Sequence, residues 1–179
     1  MTLASLGGLL LVASVVLGLN IDDPRVATAQ VQGGVAAHFL TAVGGLVFAA
    51  LVHAIVLTYF MGTSRWIEET GNSYPLSPRP REENRKLKYR VMPAMAACLL
   101  LLIVTGATGA AADPASPYGA QGLFGMPSST VHFVLAMTTV CVNLAVNYLE
   151  YIAIYENGRI VEEVLAEVRR IRLERGLPV

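Results

Sequence analysis

Charge is what this sequence has least of: 15% of its 179 residues are Asp, Glu, Lys or Arg, against about 25% in ordinary soluble domains. Cysteine is nearly absent. Cys98 and Cys141 both lie inside apolar runs, where a thiol packs as a small reduced hydrophobe, so a secreted disulfide framework is excluded. The three histidines and two cysteines are too scattered for a tetrahedral zinc site. There is no phosphate-cradling glycine loop, no H-E-x-x-H and no Cys-x-x-Cys. With no internal repeat and a formal net charge of zero, the chain has no footprint for nucleic acid.

Hydrophobic residues make up 54% of the chain, and they fall in runs of membrane-spanning length. The expected fold is all-α and integral to a membrane: a four-transmembrane-helix bundle followed by a cytoplasmic amphipathic helix. Residues 1–157 form the bundle, with spans at about 2–19, 34–60, 92–112 and 129–155, and residues 158–179 the final helix. No Lys or Arg precedes the first run, so it reads as a membrane helix although Ala27 and Ala29 make an A-x-A pattern downstream. Pro75, Pro78 and Pro80 predict an irregular loop, and Arg85, Lys86, Lys88 and Arg90 a helical lead-in to the third span, with Pro93 in its first turn. Asp113 to Pro127 predicts a polar connection rich in Pro and Gly. Beyond Asn157-Gly158, Ile160, Val164, Val168 and Ile171 recur at helical spacing among charged residues. That helix either lies on the membrane surface or docks on a partner.

Orientation follows from the basic residues. Seven fall between Arg65 and Arg90 and five beyond Tyr155, against Arg25 alone in the other two connections. The bias puts both termini in the cytoplasm of a prokaryotic-type inner membrane, and two short loops, too small for a catalytic domain, outside.

Candidate chemistry begins with Gly34–Tyr59, an uncharged run that holds His38 and His53. They stand about 60° apart in azimuth and roughly 22 Å apart along a helix, with Ala42, Gly45 and Ala49 between them on much the same side. His132 enters the fourth span at the depth of His38, and Ala136, Thr139, Asn143 and Asn147 continue its stripe. Two imidazoles level with each other and flanked by small residues are what bis-histidine ligation of haem b requires. His38 and His132 are therefore the expected iron ligands, beside Ala42, Gly45 and Ala136. His53 marks a possible second haem, with Met95 or alone, near Cys98 and Asn147. Glu150, beside Tyr148 and Tyr151, is placed for a proton relay, a quinone head group or a plain ion pair with Arg90.

In helix number and histidine depth the architecture resembles that of four-helix membrane b-type cytochromes, the anchor subunits of respiratory and photosynthetic enzymes. The leading expectation is thus a haem b electron-transfer subunit of a membrane redox complex, its partners membrane lipids and other subunits. Two alternatives stand beside it. Small residues at four-residue spacing also pack helices closely without any cofactor, and Asn and Thr bond between helices, as in a cofactor-free accessory subunit. A small metal or proton transporter would use His38, His53, Cys98 and Met95.

Overall fold

The computed structural model describes residues 2–113, 122 and 125–178; most of the expected polar connection before Pro127 lies outside the described residues. Among the described residues there are four α-helices: α1 (Thr2–Leu19), α2 (Ala29–Ser73), α3 (Arg79–Ala112) and α4 (Ser128–Glu174). All four are long and apolar enough to cross a membrane.

Three of the helices outrun the spans expected of them. α2 continues through Trp66 and Glu69 to Ser73, which confines the irregular loop to 74–78. α3 starts at Arg79, so the basic run is helical as expected, but Pro93 becomes an interior proline instead of a first-turn one. Its missing N–H leaves the Tyr89 carbonyl without its usual intrahelical donor. α4 passes through Asn157-Gly158 without a break and ends in a Schellman turn. There the Gly176 and Leu177 amides donate to the Leu173 and Arg172 carbonyls. Gly176 has φ 66°, a left-handed conformation that costs glycine nothing.

Two compact units partition the chain. The first comprises Met1–His53 and Ala96–Asn147, the second Ala54–Met95 and Tyr148–Val179; α2, α3 and α4 each contribute to both. The core of the first is Leu11, Ala49 and Leu102, packed by Leu46, Ala50, Leu99 and Val140. α1 comes close to α2 because glycines line the contact. A Cβ on Gly45 would stand 3.2 Å from Leu11 Cδ2 and 3.3 Å from its backbone N, and one on Gly7 3.3 Å from Phe48 Cδ1.

The second unit buries Phe60, Ile67, Leu87, Val91, Ile160 and Val164. Thus Ile160, Val164 and Ile171 of the C-terminal stripe are buried within their own chain, whereas Leu165 and Leu173 are exposed. Ile160→Ala should cost about 2–4 kcal/mol of stability through transfer and cavity terms, read as a lowered thermal midpoint in detergent. Inside the unit lies a polar knot. Asn84 accepts from the Ser64 hydroxyl (2.5 Å) and donates to Asn157 Oδ1 (2.6 Å). The Asn157 amide then donates to Tyr59 OH (3.0 Å) and Thr63 Oγ1 (3.1 Å). The solvated face of α4 carries Arg170 between Glu167 and Glu174. The Arg170 hydrogen bond holds the Glu167 carboxyl below its ordinary range, so this pair acts above that range and is lost as pH falls through the depressed value. Its full exposure makes it a minor contributor.

Candidate functional site

The first unit brings His38 of α2 and His132 of α4 together. Their ring centres are 6.3 Å apart and their planes cross at 78°. Both line a cleft of about 1430 Å³ whose lining extends from the Asp22–Arg25 turn to Thr105, Thr139 and Val140. Ala42 and Ala136 line it too, one turn inward from each histidine. Gly45 does not; it serves the α1 contact described above.

Each imidazole is held by a hydrogen bond and by a glycine. Leu11, Ser14 and Gly18 share a face of α1 by their spacing. The Ser14 carbonyl accepts from His38 Nδ1 at 2.8 Å, and a Cβ on Gly18 would lie 3.0 Å from His38 Cε1. α3 repeats the device with Thr108 and Gly109. Thr108 Oγ1 lies 3.4 Å from His132 Nδ1, and a Cβ on Gly109 would lie 3.0 Å from His132 Cε1. The tautomers follow from these partners. A carbonyl can only accept, so His38 carries its proton on Nδ1. Thr108 gives its own proton to the Thr105 carbonyl at 3.1 Å, so it too accepts, and His132 is likewise protonated on Nδ1. In the neutral ring, Nε2 is then the atom that keeps the lone pair.

That is the condition in which histidine binds metal, the second nitrogen donating to a carbonyl or similar acceptor. Metal–imidazole bonds of ~2.0–2.1 Å place two collinear ring centres roughly 6 Å apart. Edge-to-face aromatic pairs cover the same distance, so the separation does not decide between the two arrangements. Among the described residues no group of three or more His, Cys, Asp and Glu gathers as a metal site; a flat metallocycle, which brings its own four equatorial donors, asks the protein for two.

No family matches this chain. Curated proteins and solved structures likewise give no match. The site must therefore be read from its own geometry.

His53 sits in the same unit but in different company. It is fully buried, and its Nε2 accepts from Asn143 Nδ2 at 3.1 Å. The same amide approaches Cys98 Sγ at 3.6 Å, and Asn143 Oδ1 accepts from Asn147 Nδ2 at 3.1 Å. His53, Cys98 and Asn147 are thus linked through Asn143, a residue of the stripe that continues from His132. Met95 and Glu150 are buried in the second unit.

Local pattern leaves Gly18, Gly109, Ser14 and Thr108 unmarked, because their importance lies in what faces them from another helix. A weak signal exists in the run Thr105-Gly106-Ala107-Thr108-Gly109, small and hydroxylic inside an otherwise aliphatic span. Gly109→Ala tests the cradle: the added methyl should displace the His132 ring and lower the thermal midpoint in detergent. The same change at Gly44, whose Cβ would meet nothing within 4 Å, should leave the midpoint unchanged.

Proposed function

We propose that this chain is an integral membrane cytochrome subunit that holds one haem b between His38 and His132 and takes part in electron transfer. The observation that carries this reading is the matched pair of imidazoles, each with Nδ1 turned to an acceptor oxygen and each seated on a glycine. His38 and His132 would hold the group, and a haem b there would supply one-electron transfer.

The residues divide the remaining work. Ser14 and Thr108 fix the ring orientations and leave Nε2 as the donor atom of each imidazole. Gly18 and Gly109 give each ring the space a Cβ would fill. Ala42 and Ala136 keep the cleft wall low beside the rings, and Phe39 and Phe133, one residue beyond each histidine, add aromatic surface. His53, engaged by Asn143, is assigned to interhelical hydrogen bonding.

A membrane location is supported by apolar side chains left bare along the helices. Leu9, Leu40, Val47, Leu100 and Ile103 are each more than 60% exposed, which water would penalise and lipid tails would not. The count of twelve basic residues against one supports cytoplasmic termini, which places the mouth of the cleft on the outer side. The test is a reduced-minus-oxidised spectrum of the purified full chain with a haem assay. A b-type band at one haem per chain is expected, and a colourless protein expressed with ample haem refutes the reading.

A further inference from the structure

We propose that the second unit holds the phosphodiester of an anionic phospholipid between Lys86 of α3 and Arg159 of α4. The inference goes beyond the reading of the cleft and stands without it.

One contact fixes the register. Arg90 Nη2 donates to Glu156 Oε2 at 2.7 Å and ties α3 to α4. Lys86 precedes Arg90 by four residues, and Arg159 follows Glu156 by three. Each therefore shares a helix face with its neighbour in the bridge, roughly 6 Å and 4.5 Å away along the axis. The Asn84–Asn157 bond of 2.6 Å joins the same two helices on that side of the bridge, so both steps lead the same way. On the orientation proposed above, that way is out of the membrane into the cytoplasm.

Two cations thus flank the seam between α3 and α4. In the same unit Arg65, Arg79, Arg81 and Arg170 each meet a carboxylate. Among the described residues Lys86 and Arg159 form no ion pair, although Glu82 and Glu163 stand one turn from them on their own helices. Glu156, the carboxylate between them, is neutralised by Arg90. One turn in the other direction each cation has a bare tyrosine: Tyr89 is 60% exposed and Tyr155 65%.

Exposed phenols of this kind suit the zone where headgroups meet acyl chains. Cation, tyrosine and apolar helix follow one another within two turns, the order in which a phospholipid presents phosphate, glycerol and chain. Lysine and arginine make charge-assisted hydrogen bonds to phosphate oxygens. Two uncompensated positive charges select a headgroup with no cation of its own, such as phosphatidylglycerol, over phosphatidylcholine. A soluble phosphate would gain nothing from the tyrosines. Arg169 and Arg175 are unpaired too among the described residues, but no tyrosine lies a turn from either.

The purified full chain in a nonionic detergent is titrated with phosphatidylglycerol and with phosphatidylcholine of identical chains, and bound lipid is counted by native mass spectrometry. Phosphatidylglycerol should bind on the order of tenfold more tightly. Lys86→Gln/Arg159→Gln should bring the two lipids within about twofold of each other, because both headgroup contacts are gone. Arg169→Gln/Arg175→Gln removes the same charge farther along α4 and should keep the preference. Equal affinity for the two lipids on the unaltered protein overturns the proposal, and so does a Lys86/Arg159 double variant that keeps the preference. An equal loss in the Arg169/Arg175 variant also overturns it, by assigning the effect to net charge alone. Glycerophosphoglycerol, the headgroup without chains, should fail to displace the lipid at equal concentration; displacement would make this a site for soluble phosphate esters and refute the lipid. A colourless chain that prefers phosphatidylglycerol would refute the cytochrome reading alone, and a haem-loaded chain indifferent to the headgroup would refute this proposal alone.

Discussion

His132→Ala is expected to strip the haem from the purified protein, and His38→Ala to do the same. Loss of an outer hydrogen-bond partner of a metal ligand costs roughly 10–100-fold in affinity; loss of the ligand itself should cost more. The reduced-minus-oxidised band should then fall below detection in both variants after purification. His53→Ala should behave differently. Its Nε2 is committed to Asn143, so its removal should cost stability through the orphaned amide and leave the band in place. Loss of the band in all three variants alike would point to general unfolding, which a thermal melt of each variant separates from ligand loss.

The second large effect lies away from the cleft. Asn157→Ala should destabilise the second unit by roughly 2–4 kcal/mol, because it leaves a buried amide on Asn84 without its acceptor and takes the donor from Tyr59 and Thr63. Asn157 is fully buried and Asn84 nearly so, so water cannot substitute readily. Asn157→Asp should be no milder, since a carboxylate cannot donate to either hydroxyl and would bury a charge. A double-mutant cycle with Asn84→Ala, read from melting midpoints in detergent, should give a coupling of about 0.5–3 kcal/mol. Strict additivity would mean that the Asn84–Asn157 bond adds nothing to the fold.

Much of this architecture is legible in the sequence. Hydropathy marks the helices because lipid-length apolar runs admit few other structures, and helical periodicity puts His38 above Ala42 and His132 above Ala136. Their meeting at 6.3 Å follows from depth and facing, both readable from spacing. Helix ends were less legible. Asn157-Gly158 has the composition of a turn, yet α4 runs straight through it, because Asn157 makes three hydrogen bonds, to Asn84, Tyr59 and Thr63, and Ile160 and Val164 stay buried. Tertiary contacts override the local preference there. Gly45 has the spacing of a cofactor groove and the contacts of a helix seam, a distinction that depends on where α1 lies. The partners that set the histidine tautomers were invisible for the same reason: a backbone carbonyl at Ser14 has no signature in a side-chain pattern.

The most direct test of the central claim is the electron paramagnetic resonance spectrum of the oxidised full-length protein at low temperature, compared with that of the Gly109→Ala variant. Ligation by His38 and His132 predicts a purely low-spin ferric signal of the bis-imidazole type, with its g-values altered when the His132 ring is displaced. A high-spin ferric signal, or a low-spin signal that requires a sulfur ligand, would contradict it.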